Sequence, residues 1–112
     1  METYSVELAE TALRHIMEIR DYISISLKSP KTARNVIKCL YEEIASLSTF
    51  PFRFPLSTED AAVRNQLRKM PVGNYLVYYQ VLEDSHQVEV AAVVYACRDQ
   101  KQVLQSLDLS EN

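Results

Sequence analysis

Residues 75–82 read Tyr-Leu-Val-Tyr-Tyr-Gln-Val-Leu, and residues 88–97 read Val-Glu-Val-Ala-Ala-Val-Val-Tyr-Ala-Cys. The first run is dense in aromatic and β-branched residues, which favour a pleated, half-buried strand. The second is nearly all apolar, as expected of a central strand covered on both faces. Between them Glu83-Asp84-Ser85-His86 is a polar turn. Upstream, Pro71-Val72-Gly73-Asn74 carries turn chemistry. Before it, the alternation of Val63, Asn65, Leu67 and Lys69 with Arg64, Gln66, Arg68 and Met70 predicts a strand over 63–70. Three strands joined by short turns make an antiparallel meander.

The chain before the meander changes period twice. Tyr4, Val6 and Leu8 alternate with polar residues, a half-buried strand over 3–8. From Ala9 the apolar positions Leu8, Ala12, Ile16, Ile19, Ile23 and Leu27 recur at steps of three and four, the stripe of an amphipathic helix. Ser29-Pro30 then opens a second helix, with Ser as N-cap and Pro at the first helical position. Its inner face is Ala33, Val36, Ile37, Leu40, Ile44 and Leu47. Tyr22 and Tyr41 are expected to pack within this helical hairpin. Pro51 and Pro55 end the helix and set a loop over 49–60, with Phe50, Phe52 and Phe54 expected to anchor it on the core. Val103, Leu104 and Leu107 predict a short C-terminal helix within 99–107, before a polar end at 108–112. The expected fold is α+β in the order β-α-α-β-β-β. An N-terminal helical hairpin packs on a mostly antiparallel sheet, and a short C-terminal helix follows.

Composition narrows the function. The 112 residues form one domain, 1–112, able to bury roughly two-thirds of its unfolded surface. No apolar run approaches the ~20 residues of a membrane span. Met1-Glu2-Thr3-Tyr4 does not resemble the start of a signal peptide, so the expected compartment is the cytoplasm. With one glycine, a Gly-rich phosphate loop is excluded. Cys39 and Cys97 form no CxxC and are expected as two buried thiols, and no cofactor or metal is expected. The net charge of −3 argues against a generic nucleic-acid binder. Its distribution is uneven: residues 1–48 carry −1, residues 49–82 carry +2 and residues 83–112 carry −4. The middle segment is where an anion would dock.

Two stretches carry a resemblance. Arg64-x-x-x-Arg68-Lys69-Met70-Pro71-Val72-Gly73-Asn74-Tyr75-Leu76-Val77-Tyr78-Tyr79-Gln80-Val81 is similar to the strand–turn–strand signature of the RelE/ParE superfamily of bacterial toxins from type II toxin–antitoxin modules. Val93-Val94-Tyr95-Ala96-Cys97-Arg98-Asp99 resembles that superfamily's last strand, which ends in Arg-Asp before a terminal helix, and the Phe50-Pro51 pair also fits. The resemblance covers residues 3–107 and implies a cognate antitoxin as partner. It also implies one of two targets. One branch cleaves mRNA on the ribosome; the ParE-like branch poisons DNA gyrase and needs no hydrolytic site.

RNA cleavage needs a base, an acid and cationic stabilisation of the phosphorane. The cleaving toxins usually place an Arg where this chain has Tyr75, and often follow the Arg matching Arg98 with His or Tyr, where this chain has Asp99-Gln100-Lys101. The resemblance therefore favours a ParE-like, non-hydrolytic inhibitor. A ribosome-dependent endoribonuclease with a reduced site is the alternative, and a degenerate homologue that only binds antitoxin is the third. Arg64, Arg68, Lys69 and Arg98 form the candidate basic patch, with Tyr75, Tyr95 and Asp99 in support; Asp99 equally suits the N-cap of the tail helix. His86 falls in a predicted turn, away from Arg98, and His15 is expected on the surface of the first helix. The helical hairpin and the strand edges offer surfaces for self-association.

Overall fold

The two β-former runs become neighbouring antiparallel strands at the centre of a four-stranded sheet. The computed structural model describes residues 3–58 and 65–96. Its elements are β1 (Ser5–Leu8), α1 (Glu10–Asp21), α2 (Pro30–Ala45), β2 (Arg68–Val72), β3 (Tyr75–Leu82) and β4 (Gln87–Tyr95). The sheet order is β1-β4-β3-β2. β2 with β3 and β3 with β4 are antiparallel, whereas β1 runs parallel to β4, with Ser5 opposite Gln87 and Leu8 opposite Val90. The architecture is the α+β arrangement expected from the sequence, with two helices on a mostly antiparallel sheet. The expected helix at 99–107 lies outside the described residues, as does Cys97.

Both helices lie on one face. Ala12 and Ile16 of α1, and Leu40 and Ile44 of α2, meet Met70, Val77, Tyr79, Val88, Val90 and Val93 of the sheet in one buried cluster. A second cluster, Leu67, Tyr78, Ala91, Ala92 and Val94, occupies the opposite face. β4 is thus buried on both sides, as its apolar run implies.

β4 changes phase midway. Tyr78 pairs with Ala92 but Tyr79 pairs with Val90, so Ala91 is an extra residue, a β-bulge. Before it, Val88 and Val90 face the helices; after it, Val93 does. Ala91 and Ala92 both join the far cluster. Two adjacent side chains sharing one face must be small, and both are Ala.

Several expectations are corrected. β2 begins at Arg68, five residues later than the predicted strand, and Gln66 just before it has a positive φ of 56°. Pro71 sits inside β2 rather than in the turn, which an edge strand tolerates because the missing N–H costs no ladder bond. The hairpin turn is only Gly73-Asn74, with Val72 opposite Tyr75. Of these two residues Gly73 alone has positive φ, 58°, the arrangement of a type II′ turn led by Gly. An added Cβ at Gly73 would meet nothing within 4 Å. Gly73→Ala should therefore cost about 1–2 kcal/mol of backbone strain alone, read as a lower urea midpoint at unchanged m-value.

The first helix is the second correction. Its last turn, Tyr22–Ser26, is π-helical. The wider turn keeps Ile23 in the core but rotates Leu27 off the stripe, leaving it 56% exposed. Tyr22 and Tyr41 are likewise exposed, and so is Cys39, on the outer side of α2. Ser29 precedes α2 without capping it: its hydroxyl donates to the Thr32 hydroxyl at 2.7 Å. No helix among the described residues is long and apolar enough to cross a membrane.

Candidate functional site

The sequence candidates separate into two places on the sheet. Arg68 opens β2 opposite Tyr79, and Tyr75 opens β3 opposite Val72. Four residues of strand, roughly 13 Å, lie between Tyr79 and Tyr75. Lys69 pairs with Tyr78, whose ring belongs to the far cluster, so Lys69 and Arg68 project from opposite faces. Arg64, Arg98 and Asp99 lie outside the described residues.

Arg68 is held by the loop after α2. Its Nη1 donates to the Phe54 carbonyl at 2.7 Å, and its guanidinium sits 4.9 Å from the Phe52 ring centroid. Arg53 repeats the motif: it lies 5.1 Å from the Phe54 ring centroid, and its Nη2 donates to Ser46 Oγ at 2.6 Å. Tyr79 fastens the same loop from below, its hydroxyl donating to the Pro51 carbonyl at 2.8 Å. Phe54 packs against the core as expected. Phe50 does not anchor it, being 56% exposed, whereas Phe52, 44% exposed, meets the Tyr4 ring edge-on at 6.3 Å; Phe52 and Phe54 form, with the two arginines, a cation–aromatic patch. Arg53 lies outside the basic patch expected from the sequence, where the only local signal for it is Phe52-Arg53-Phe54.

The second place is the far end of the β3–β4 pair. Tyr75 and Tyr95 lie opposite one another, ring centroids 5.6 Å apart at 59°. With His15, Glu18 and Tyr22 they border a cleft of about 750 Å³ between α1 and the sheet. His15 is not a surface residue. It is half-buried, and its Nδ1 accepts the Val93 N–H at 3.2 Å. β1 has ended opposite Val90, so the helix supplies the acceptor that no strand can. Sequence gave no signal for this, because the bulge that precedes Val93 leaves no trace in an unbroken apolar run.

Tyr75 and Tyr79 hold their protons. Burial raises the Tyr75 pKa above 10.0, and the neighbouring Tyr95 and Tyr22 phenols raise it further. Burial also raises Tyr79, only partly offset by the Phe54 backbone and by Arg68 and Arg53. Near neutral pH Tyr75 is therefore a hydrogen-bond donor and a poor general base. A raised folded pKa contributes stability that is full below the unfolded value of 10.0 and is lost as pH rises through the folded value. Stability should hold to about pH 10 and fall above it. Tyr79→Phe should make that alkaline fall shallower, as denaturant midpoints across the range would show.

Residues 6–100 match the model of the ParE toxin family of type II toxin–antitoxin systems. A sequence search of curated proteins finds no relative. Among solved structures, the chain is similar to the chromosomal ParDE toxin–antitoxin system of P. aeruginosa, with a TM-score of 0.69, 12% identity, and 83% of this chain and 96% of that one covered. It is similar to the RelBE2 toxin–antitoxin complex of Mycobacterium tuberculosis, with a TM-score of 0.62, 19% identity, and 85% and 93% covered. It is also similar to a free-state mutant of the E. coli toxin RelE, with a TM-score of 0.57, 18% identity, and 90% and 92% covered.

Proposed function

The chain belongs to the ParE toxin family of type II toxin–antitoxin systems, and on that premise we propose that it acts by binding rather than by hydrolysis, as an inhibitor of DNA gyrase. A cognate antitoxin neutralises it in the cytoplasm. The observation that carries the reading is the state of Tyr75. The RNA-cleaving toxins usually hold an arginine at the matching position. Here it is a phenol whose proton is retained by burial and by two neighbouring tyrosines. Such a group offers neither cationic stabilisation of a phosphorane nor a base for a 2′-hydroxyl. Arg68, the described cation of the candidate patch on the helix face, is engaged by the Phe54 carbonyl and the Phe52 ring, a contact that shapes a surface.

The antitoxin partner is supported by the complexes among the structural relatives, the ParDE system and RelBE2. The proposed target is tested in two purified reactions run side by side. The protein is added to gyrase with relaxed plasmid, and to ribosomes carrying a defined mRNA. The expected result is loss of supercoiling at near-stoichiometric toxin, with the mRNA intact. Ribosome-dependent cutting of the mRNA, abolished by Arg98→Ala, would replace this reading with the endoribonuclease. Inactivity in both reactions by folded protein would mark a homologue that retains antitoxin binding alone.

A further inference from the structure

We propose that the outer face of the helical hairpin pairs with the same face of a second copy of this chain, turned end for end. On α1, Leu13 and Met17 are 41% and 44% exposed. They share one stripe with Arg20 and Ser24, at steps of three and four. Arg20 and Ser24 border an open groove of about 510 Å³ together with Pro30, Ala33, Arg34 and Ile37 of α2. No described residue outside the hairpin borders that groove. The two helices run antiparallel, so one turn closer to the base of the hairpin Met17 comes level with Tyr41, itself 41% exposed. Leu13, Met17, Ile37 and Tyr41 form an apolar lane along this face.

The charges of the hairpin divide by end. Residues 20–38, its tip, hold five basic residues against Asp21 alone, a net +4. Residues 10–19 and 39–45, its base, hold Glu10, Glu18, Glu42 and Glu43 against Arg14, a net −3. Arg20 meets Asp21 at 3.1 Å and Lys38 reaches Glu42 only at 4.0 Å, while Arg34 has no ion pair among the described residues. This pattern selects the occupant. An acidic segment or an anionic lipid surface would match the tip and be repelled by the base. A second hairpin laid antiparallel on the first sets each tip on the other's base and lane on lane. Such a contact is isologous and closes at two copies. The face is two helices wide and about 20 Å long, on the order of 400 Å² per copy. That is about half the roughly 800 Å² per partner of a standard interface, so the dimer is weak, with a Kd of about 100 μM. The assignment is independent of which cellular target the toxin inhibits.

Sedimentation velocity of the full chain, from about 5 to 500 μM, reads the equilibrium. Reversible dimerisation is expected, weakened about fivefold between roughly 0.05 and 0.5 M salt. Met17→Glu, at an exposed position where the fold is not at stake, should weaken the dimer about tenfold or more by burying a charge in the lane. Two charge variants fix the direction of pairing. Arg34→Glu with Lys38→Glu cancels the tip, and Glu42→Lys with Glu43→Lys cancels the base. Both should weaken the dimer about fivefold or more. The second brings the whole chain closer to neutral, so its weakening cannot come from net charge. A dimer indifferent to Met17→Glu, or one tightened by either charge variant, would overturn the proposal. So would a chain that stays monomeric to about 500 μM. Flotation of that monomer with phosphatidylserine vesicles would then give the face to a lipid surface.

Discussion

Deleting Ala91 and Ala92 together should unfold the chain. The bulge lets Val88 and Val90 on one side of it, and Val93 on the other, all face the helices. With both residues gone Val93 follows Val90 directly, and every side chain from Val93 onward is transposed to the opposite face. Val93 would leave the main core, Val94 would enter it, and the Val93 N–H would lose its alignment with His15. The combined cost should be about 5 kcal/mol or more, comparable with the whole stability of a domain this size. Circular dichroism with a urea titration reads the outcome. Deleting Ala91 alone removes only the extra residue: Tyr79 keeps Val90 and Tyr78 keeps Ala92 as partners, every side chain keeps its face, and the cost should be about 1–2 kcal/mol. A double deletion as stable as the single one would show that the register of β4 does not set the core.

Tyr79→Ala should be the most damaging substitution at the candidate site, at about 3–5 kcal/mol. Tyr79 is fully buried, so truncation removes a large ring from the main core. It also strips the Pro51 carbonyl of its donor. Tyr79→Phe separates the two contributions and should cost about 1–2 kcal/mol. Both variants should speed hydrogen exchange in the 50–56 loop, because Arg68, Phe52 and Phe54 are aligned through the strand and loop that Tyr79 joins. A Tyr79→Phe variant with unchanged loop protection would show that the Tyr79 hydroxyl does not hold the loop.

These two residues also mark where sequence reading succeeds and where it stops. Tyr75 to Leu82 and Val88 to Cys97 are legible as strands because β-branched and aromatic residues have few other ways to be half-buried. The helices are legible from their stripes, and the parallel pairing of β1 with β4 from neither. The bulge is hidden because an all-apolar run has no period to interrupt. The alternating pattern through Arg64 and Gln66 places β2 too early, and Pro71 reads as a breaker because only the fold shows that this strand is an edge. Lys69 and Arg68 are legible as cations but not as residents of opposite faces, since that depends on a register starting at Arg68. Arg53 is not legible at all, because its role arises from contacts with Phe54 and Ser46 that only the folded loop creates.

The parallel contact between β1 and β4 sets a schedule for synthesis. Ser5 faces Gln87, so the first strand to leave the ribosome is the last to find its neighbour. About 80 residues must be translated between them, several seconds at roughly 5–20 residues per second. Until then the nascent α1–α2 hairpin has no sheet to lie on, and the β1 backbone has no ladder. Such high contact order slows folding and couples it to completion of the chain. A protein built this way acquires its working shape only once β4 has been made, so its activity begins after the sheet closes and not while the helical hairpin is emerging.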